Sequence, residues 1–239
     1  MLFAKSGCSR VKHRLASPSV EARRAAISDA INYGQEGLEA AIAVFDDADE
    51  QVRAIAAALF GAQEQLILLK KGAAIWNKWR VQNLRLFGGF VDLSWGDFSR
   101  LNLAKANLRE SKLAGSNFAS ANLRGAKIFQ SNLEVTNLKN ADLSEANLSK
   151  ANLSSADLQA ANLSLANLRS VNFRDANLSQ SILKKAKLCG ADLSEANLTG
   201  ADLSGADLSG AKLGRAKLAG ANLAGIKLIR SNLYGWDFN

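Results

Sequence analysis

The sequence predicts two dissimilar parts in one chain: a small α-helical domain, then a long coil of stacked short extended segments. Three observations carry this. From Leu93 to Phe238 every fifth residue is large and apolar, thirty positions in all: 25 Leu, four Phe and Ile128. Before residue 73 the apolar residues recur at helical spacing instead, as in Ala22, Ala25, Ala26, Ile27, Ala30 and Ile31. The single proline of the 239 residues is Pro18, so none interrupts the coil.

The five-residue unit has a fixed chemistry. Two places before the large residue stands Ala in eighteen of thirty units and Ser in five; one place before it stands Asn or Asp in twenty-three. A period of five fits neither a helix nor a flat strand, but it fits a coil that bends once per unit. The small residue and the large one, two apart, point to the same side, as alternate residues of an extended segment must. The Asn or Asp between them points out, where its short side chain can bond nearby backbone and hold a turn. A proline would delete a ladder donor, which accounts for its absence. Period five by itself allows a triangular coil as well as a square one; Phe98 and Phe118, twenty residues apart, would stack on one face of a square coil.

Ahead of the coil, residues 1–17 carry Lys5, Arg10, Lys12, His13 and Arg14 without an apolar run, so they are expected to form a flexible basic tail rather than a secretory signal. In residues 18–72, Ser17-Pro18 is expected to start a helix that ends near Gly34. Leu38 to Phe45 continues as a second helix, and the acidic Asp46-Asp47-Ala48-Asp49 opens a third with Val52, Ile55, Ala56 and Leu59 on its face. Leu66 to Leu69 then run to a basic end at Lys70-Lys71-Gly72. Ala22-Arg23 and Ala26 are echoed thirty residues later by Val52-Arg53 and Ala56. Residues 73–90 hold Trp76 and Trp79, expected to seal the open end of the leucine column as a cap, with an aromatic ligand box as the sharper alternative. Gly88-Gly89 frees the chain to turn into the first coil.

On these residues the chain resembles two families. The tandem units of 91–239, such as Ala141-Asp142-Leu143-Ser144-Glu145, resemble pentapeptide-repeat proteins. The resemblance implies a right-handed quadrilateral parallel β-helix, here of about seven and a half coils. The Asp49-Glu50-Gln51-Val52-Arg53 pattern resembles short HEAT-like helical repeats, and the Trp76-Asn77-Lys78-Trp79-Arg80 element is similar to a junction of some pentapeptide-repeat proteins. Together they imply a role in assembly or regulation, of a kind met in photosynthetic bacteria.

Composition narrows function. A 48% hydrophobic content excludes a polar disordered chain, two cysteines exclude a disulfide scaffold, and no apolar run reaches the roughly 18 residues a spanning helix needs. Cys8 and Cys189 read as reduced thiols of a cytoplasmic protein. One histidine, His13, leaves no Ser-His or Cys-His arrangement, and neither a phosphate-binding Gly loop nor zinc spacing occurs. The expectation is a non-enzyme without cofactor or metal. The net charge of +8 is spread over both parts.

Assigning units cyclically to four faces gathers Arg109, Lys127, Lys150, Arg169, Lys187, Lys227 and Arg230 on one face with Phe129 and Ile229, opposed by Glu110 and Asp207. Close by, Ile182 breaks the Asn/Asp rule before Lys184-Lys185. This face is the candidate partner surface, against ordinary solvated scatter. Tyr234, Trp236 and Phe238 are expected to plug the far end or form a dimer contact there. The first function expected is a protein-interaction scaffold with a helical adaptor. The alternatives are topoisomerase protection by duplex mimicry, which the basic rod disfavours, and binding of nucleic acid or an anionic membrane by the basic face.

Overall fold

The computed structural model describes residues 2–60, 62–86, 88–89 and 91–235. The chain divides into two compact units, Met1–Leu68 with Ala74–Phe90 and Leu69–Ala73 with Val91–Asn239. Six helices precede the coil: α1 Leu2–Leu15, α2 Val20–Ala30, α3 Gly34–Ile42, α4 Glu50–Ala58, α5 Ala62–Lys70 and α6 Ala73–Leu86, with a 3₁₀ turn Ile31–Tyr33 between α2 and α3.

The basic start is thus a helix where a flexible tail was expected. Val11 and Leu15, four apart, are buried against the neighbouring helices, and the Arg14 guanidinium pairs with Asp29 of α2. The sequence signal was the spacing of those two apolar residues inside a charged run. Helix α2 also starts two residues later than Ser17-Pro18 suggested. Ser19 accepts at Oγ from the Ala22 N–H (3.2 Å), and Pro18 lies before the helix rather than in its first turn.

The thirty-residue echo has a structural counterpart. Asp49 caps α4 by accepting from Val52 N–H (2.9 Å), the same three-residue reach as Ser19 to Ala22. Arg23 donates to the carbonyls of Ser17 (2.9 Å) and Pro18 (3.1 Å), and Arg53 to those of Asp47 and Ala48, six and five residues back in both cases. Arg23 also grips Asp47 with two bonds, 2.7 and 3.0 Å, tying the first helix start to the second. Trp76 and Trp79 lie on α6, fully buried, with ring centres 4.9 Å apart and Trp79 Nε1 donating to the Ala57 carbonyl at 3.1 Å.

The second unit is built by one rule. Each Asn/Asp position forms an isolated parallel bridge with the residue twenty ahead, from Asp92↔Lys112 to Lys212↔Asn232. The return is therefore four pentads, a square coil, with one bridge residue per side and no longer strand among the described residues. In pentad 141–145 all five N–H groups are accounted for. Ala141 closes a turn onto Leu138 O (3.1 Å), Asp142 donates to Ala121 O of the coil before (3.0 Å), and Leu143 and Glu145 donate to Asn162 O and Ser164 O of the coil after (2.7 and 2.9 Å). The fifth, Ser144 N–H, has only the Asp142 carboxylate, at 3.0 Å. That is the physical reason for the Asn/Asp rule: without it one backbone donor per pentad lacks an acceptor in the protein.

The turn takes a positive φ at the last place of each pentad, between +54° and +70° from Trp95 to Gly235, at twenty non-glycine residues as well as at glycines. This is the third position of a type II turn. Gly205, Gly210, Gly220 and Gly225 occupy that position and relieve its strain.

Inside, the large residues from Leu93 to Leu218 are at most 2% exposed, with the alanines beside them. Where Ser or Thr replaces Ala, the buried hydroxyl donates to a carbonyl: Ser131 to Leu108 O (2.7 Å), Ser181 to Leu178 O (2.7 Å). Leu223 and Leu228 are half-buried and Leu233 is 39% exposed as the column ends.

Candidate functional site

The twenty-residue register sorts the outward side chains into columns. On the face of Leu108, Ile128 and Leu148 the bridge column reads Asn107, Lys127, Asn147, Asn167, Lys187, Asp207, Lys227. By the same register Arg109, Phe129, Arg169, Cys189 and Ile229 form a second column, and Glu110, Lys150 and Arg230 lie in a third at the corner. The structure therefore brings the sequence-selected cations onto one face.

Charge balance sets this face apart: seven cations stand against two acids, Glu110 and Asp207. Acids are more numerous on the other faces, where Arg100, Lys185, Arg215 and Lys217 are likewise in no salt bridge among the described residues. On the other three, Arg124 pairs with Glu145 (2.5 Å), Lys139 with Asp157 (3.0 Å), Arg174 with Glu195 (2.5 Å), Lys184 with Asp202 (3.2 Å) and Lys212 with Asp192 (3.5 Å). Among the described residues, Lys127, Lys150, Arg169, Lys187, Lys227 and Arg230 are exposed and in no salt bridge. Arg109 is the exception, half-buried, 4.0 Å from Glu110 and with its guanidinium 5.9 Å from the Phe129 ring centre.

The bridge positions also carry a stabilising ladder, in which Asn Nδ2 donates to the Oδ1 one coil back: Asn137 to Asn117 (3.0 Å), Asn152 to Asn132 (3.2 Å), Asn172 to Asn152 (2.8 Å). Lys127, Lys187 and Lys227 give up that rung and the local N–H acceptor, as Ile182, 40% exposed, does on the adjacent face. Beside Lys187, burial and then the Asp207 carboxylate push the Cys189 thiol above its ordinary pKa, so it is held as the unreactive thiol.

Of the other selected residues, Tyr234 is 77% exposed, and Trp236 and Phe238 lie outside the described residues, as does the side chain of Cys8. In the repeat unit three exposed apolar residues escaped sequence reading: Trp95 (79%), Val135 (58%) and Leu165 (53%). All three sit at the positive-φ corner, so position in the pentad was the available signal. In the helical unit Lys12, Leu15, Glu39, Ala40 and Ala43 line a cleft of about 260 Å³. Among the described residues no group of three or more His, Cys, Asp or Glu is placed to hold a metal, and no helix is long and apolar enough to cross a membrane.

Comparison with known proteins identifies the family of the repeats. The family model for pentapeptide repeats matches in eight copies over residues 97–134, 136–175, 172–210 and 206–239. The chain belongs to the pentapeptide-repeat family, with six helices ahead of the repeats. Among solved structures it is similar to HetL, a pentapeptide repeat protein involved in heterocyst differentiation regulation from the cyanobacterium Nostoc sp. strain PCC 7120, at 32% identity over 61% of this chain and 78% of that one, TM-score 0.38. Another pentapeptide repeat protein from Nostoc is 36% identical over 40% of this chain and 83% of its own, TM-score 0.18. A trypsin-treated QnrB1, a plasmid-mediated fluoroquinolone resistance protein, is 20% identical over 61% and 84%, TM-score 0.44. No curated protein matches the sequence.

Proposed function

We propose that the chain is a non-catalytic interaction scaffold. Its repeat unit is a right-handed square coil that presents one rigid face to an acidic partner surface, and its HEAT-like helices serve as an adaptor for a protein partner. The observation that carries this is the row of six exposed cations in no salt bridge on one face, where only Glu110 and Asp207 oppose them. Charge held on a rigid lattice attracts an anionic partner without the cost of ordering the backbone. The thirty-residue repetition of cap and arginine supports the helical-repeat reading of the adaptor. Duplex mimicry gains nothing from the charge, since residues 91–239 hold 18 basic and 13 acidic residues.

A photo-crosslinking residue at Ser149, on the basic face, should trap a partner from a native extract when the full chain is used, and the same residue at Gln159, on another face, should not. Equal trapping at both positions, or at neither, contradicts the reading.

A further inference from the structure

We infer that the basic face of the repeat unit docks on the planar surface of an anionic lipid bilayer. This names the partner of the docking face and rests on that reading.

Shape comes first. Bridges every twenty residues, without a bulge, set each side chain over its counterpart one coil away. Seven bridge positions from Asn107 to Lys227, at ~4.8 Å per coil, make the face roughly 29 Å long. Its cations lie in three parallel columns: Lys127, Lys187 and Lys227; Arg169; Lys150 and Arg230. A plane reaches all three columns at once.

Chemistry agrees. Long Lys and Arg stems reach a headgroup layer while their rigid backbone stays above it. Each contributes about 1 kcal/mol near an anionic surface, so six suffice for reversible binding. Two acids on the face oppose seven cations: Glu110, which pairs with Arg109, and Asp207, whose carboxylate is held ionised by Ser209 (2.7 Å). Exposed apolar residues stand among the cations, as peripheral membrane surfaces require: Ile229 (68%) in the Arg169 column and Leu165 (53%) at the neighbouring corner. Local rules are broken here too. Lys127, Lys187 and Lys227 each forgo the side-chain rung that Asn would make, as Lys112, Lys212, Lys217 and Ile182 do on the other faces.

The test is sedimentation of the full chain with large vesicles of about 30% phosphatidylserine in phosphatidylcholine, and with phosphatidylcholine alone. The wild type should bind the anionic vesicles only, and less as salt rises. Lys150→Glu/Arg169→Glu/Lys187→Glu should weaken partition by about a hundredfold. Arg100→Glu/Arg215→Glu/Lys217→Glu, with the same charge change on other faces, should weaken it by less than about tenfold. Should the first triple lower the thermal midpoint, the Gln versions of the same three positions replace it. No binding by the wild type, equal loss in both triples, or equal binding to neutral vesicles overturns the bilayer. If a DNA duplex or polyglutamate binds with the variant pattern described and vesicles do not, the docking face stands and the bilayer is wrong. If none of the three probes distinguishes the triples, the docking face falls as well.

Discussion

Phe98 and Phe118, twenty residues apart in sequence, stack with ring centres 4.9 Å apart and planes 25° from parallel. The pair fixes the number of pentads per coil at four, since rings fifteen residues apart would share a face in a triangular coil. Every other relationship in the repeat unit follows from this register, including which cations become neighbours.

The leucine column should dominate stability. Leu143 is fully buried, and Leu143→Ala should cost about 2–5 kcal/mol in urea unfolding. Leu233→Ala, at the exposed end, should cost less than about 1 kcal/mol. Similar losses at both sites would contradict a column that is dry at Leu143 and more exposed at Leu233.

The asparagine rungs contribute separately. Asn152 donates to Asn132 and accepts from Ser154 N–H and Asn172, so Asn152→Ala should cost about 1–2 kcal/mol. The converse holds at Ile182, between Asn162 and Asp202. Ile182→Asn supplies the missing acceptor for Lys184 N–H and should stabilise by about 0.5–1.5 kcal/mol. A destabilised Ile182→Asn variant would show that the turn donor is already satisfied.

Acid should attack the helix start at Asp47. Burial raises the pKa of this carboxyl, but donation from Arg23 and from Asp49 N–H outweighs burial and leaves it below its ordinary value. At Asp49 donation from Val52 N–H has the same net result against burial, with help from Arg24. Both carboxyls bind protons less readily folded than unfolded. Their contribution is complete above the usual carboxylate range near pH 4 and is lost as pH falls through the lower folded values. Thermal midpoints from pH 7 to pH 2 should fall less steeply for Asp47→Asn than for the wild type, and parallel curves would refute the assignment.

Cys189 offers a probe of the basic face. Burial and the Asp207 carboxylate keep it protonated, so alkylation in a Cys8→Ser background at pH 8 should be slow. Asp207→Asn removes a charge that disfavours the thiolate and should speed the reaction. An unchanged rate would mean that burial alone protects the sulfur.

Much of the repeat unit was legible because its rule is local and repeated. The large residue, the small one and the Asn or Asp each have one job per pentad, and no long-range choice intervenes. Coil shape was not legible from period five, since a bend every five residues closes a triangle or a square equally well. Only a pair such as Phe98 and Phe118 carried that information. Helix α1 was misjudged because Lys5, Arg10, Lys12 and Arg14 masked the spacing of Val11 and Leu15, whose burial depends on helices elsewhere in the chain. The cation columns could be listed from sequence once four faces were assumed. Which of those cations are paired could not, because pairing depends on which acids lie one coil away.

The most direct check is disulfide formation between engineered cysteines in a chain whose Cys8 and Cys189 are replaced by Ser. Gln159→Cys with Ser179→Cys places thiols one coil apart at ~4.8 Å backbone spacing, within disulfide reach, and mild oxidation should link them in the monomer. Gln159→Cys with Arg174→Cys, fifteen apart, should remain reduced. Linkage of the fifteen-residue pair and not of the twenty-residue pair would contradict the square coil, and with it the single face on which the cations meet.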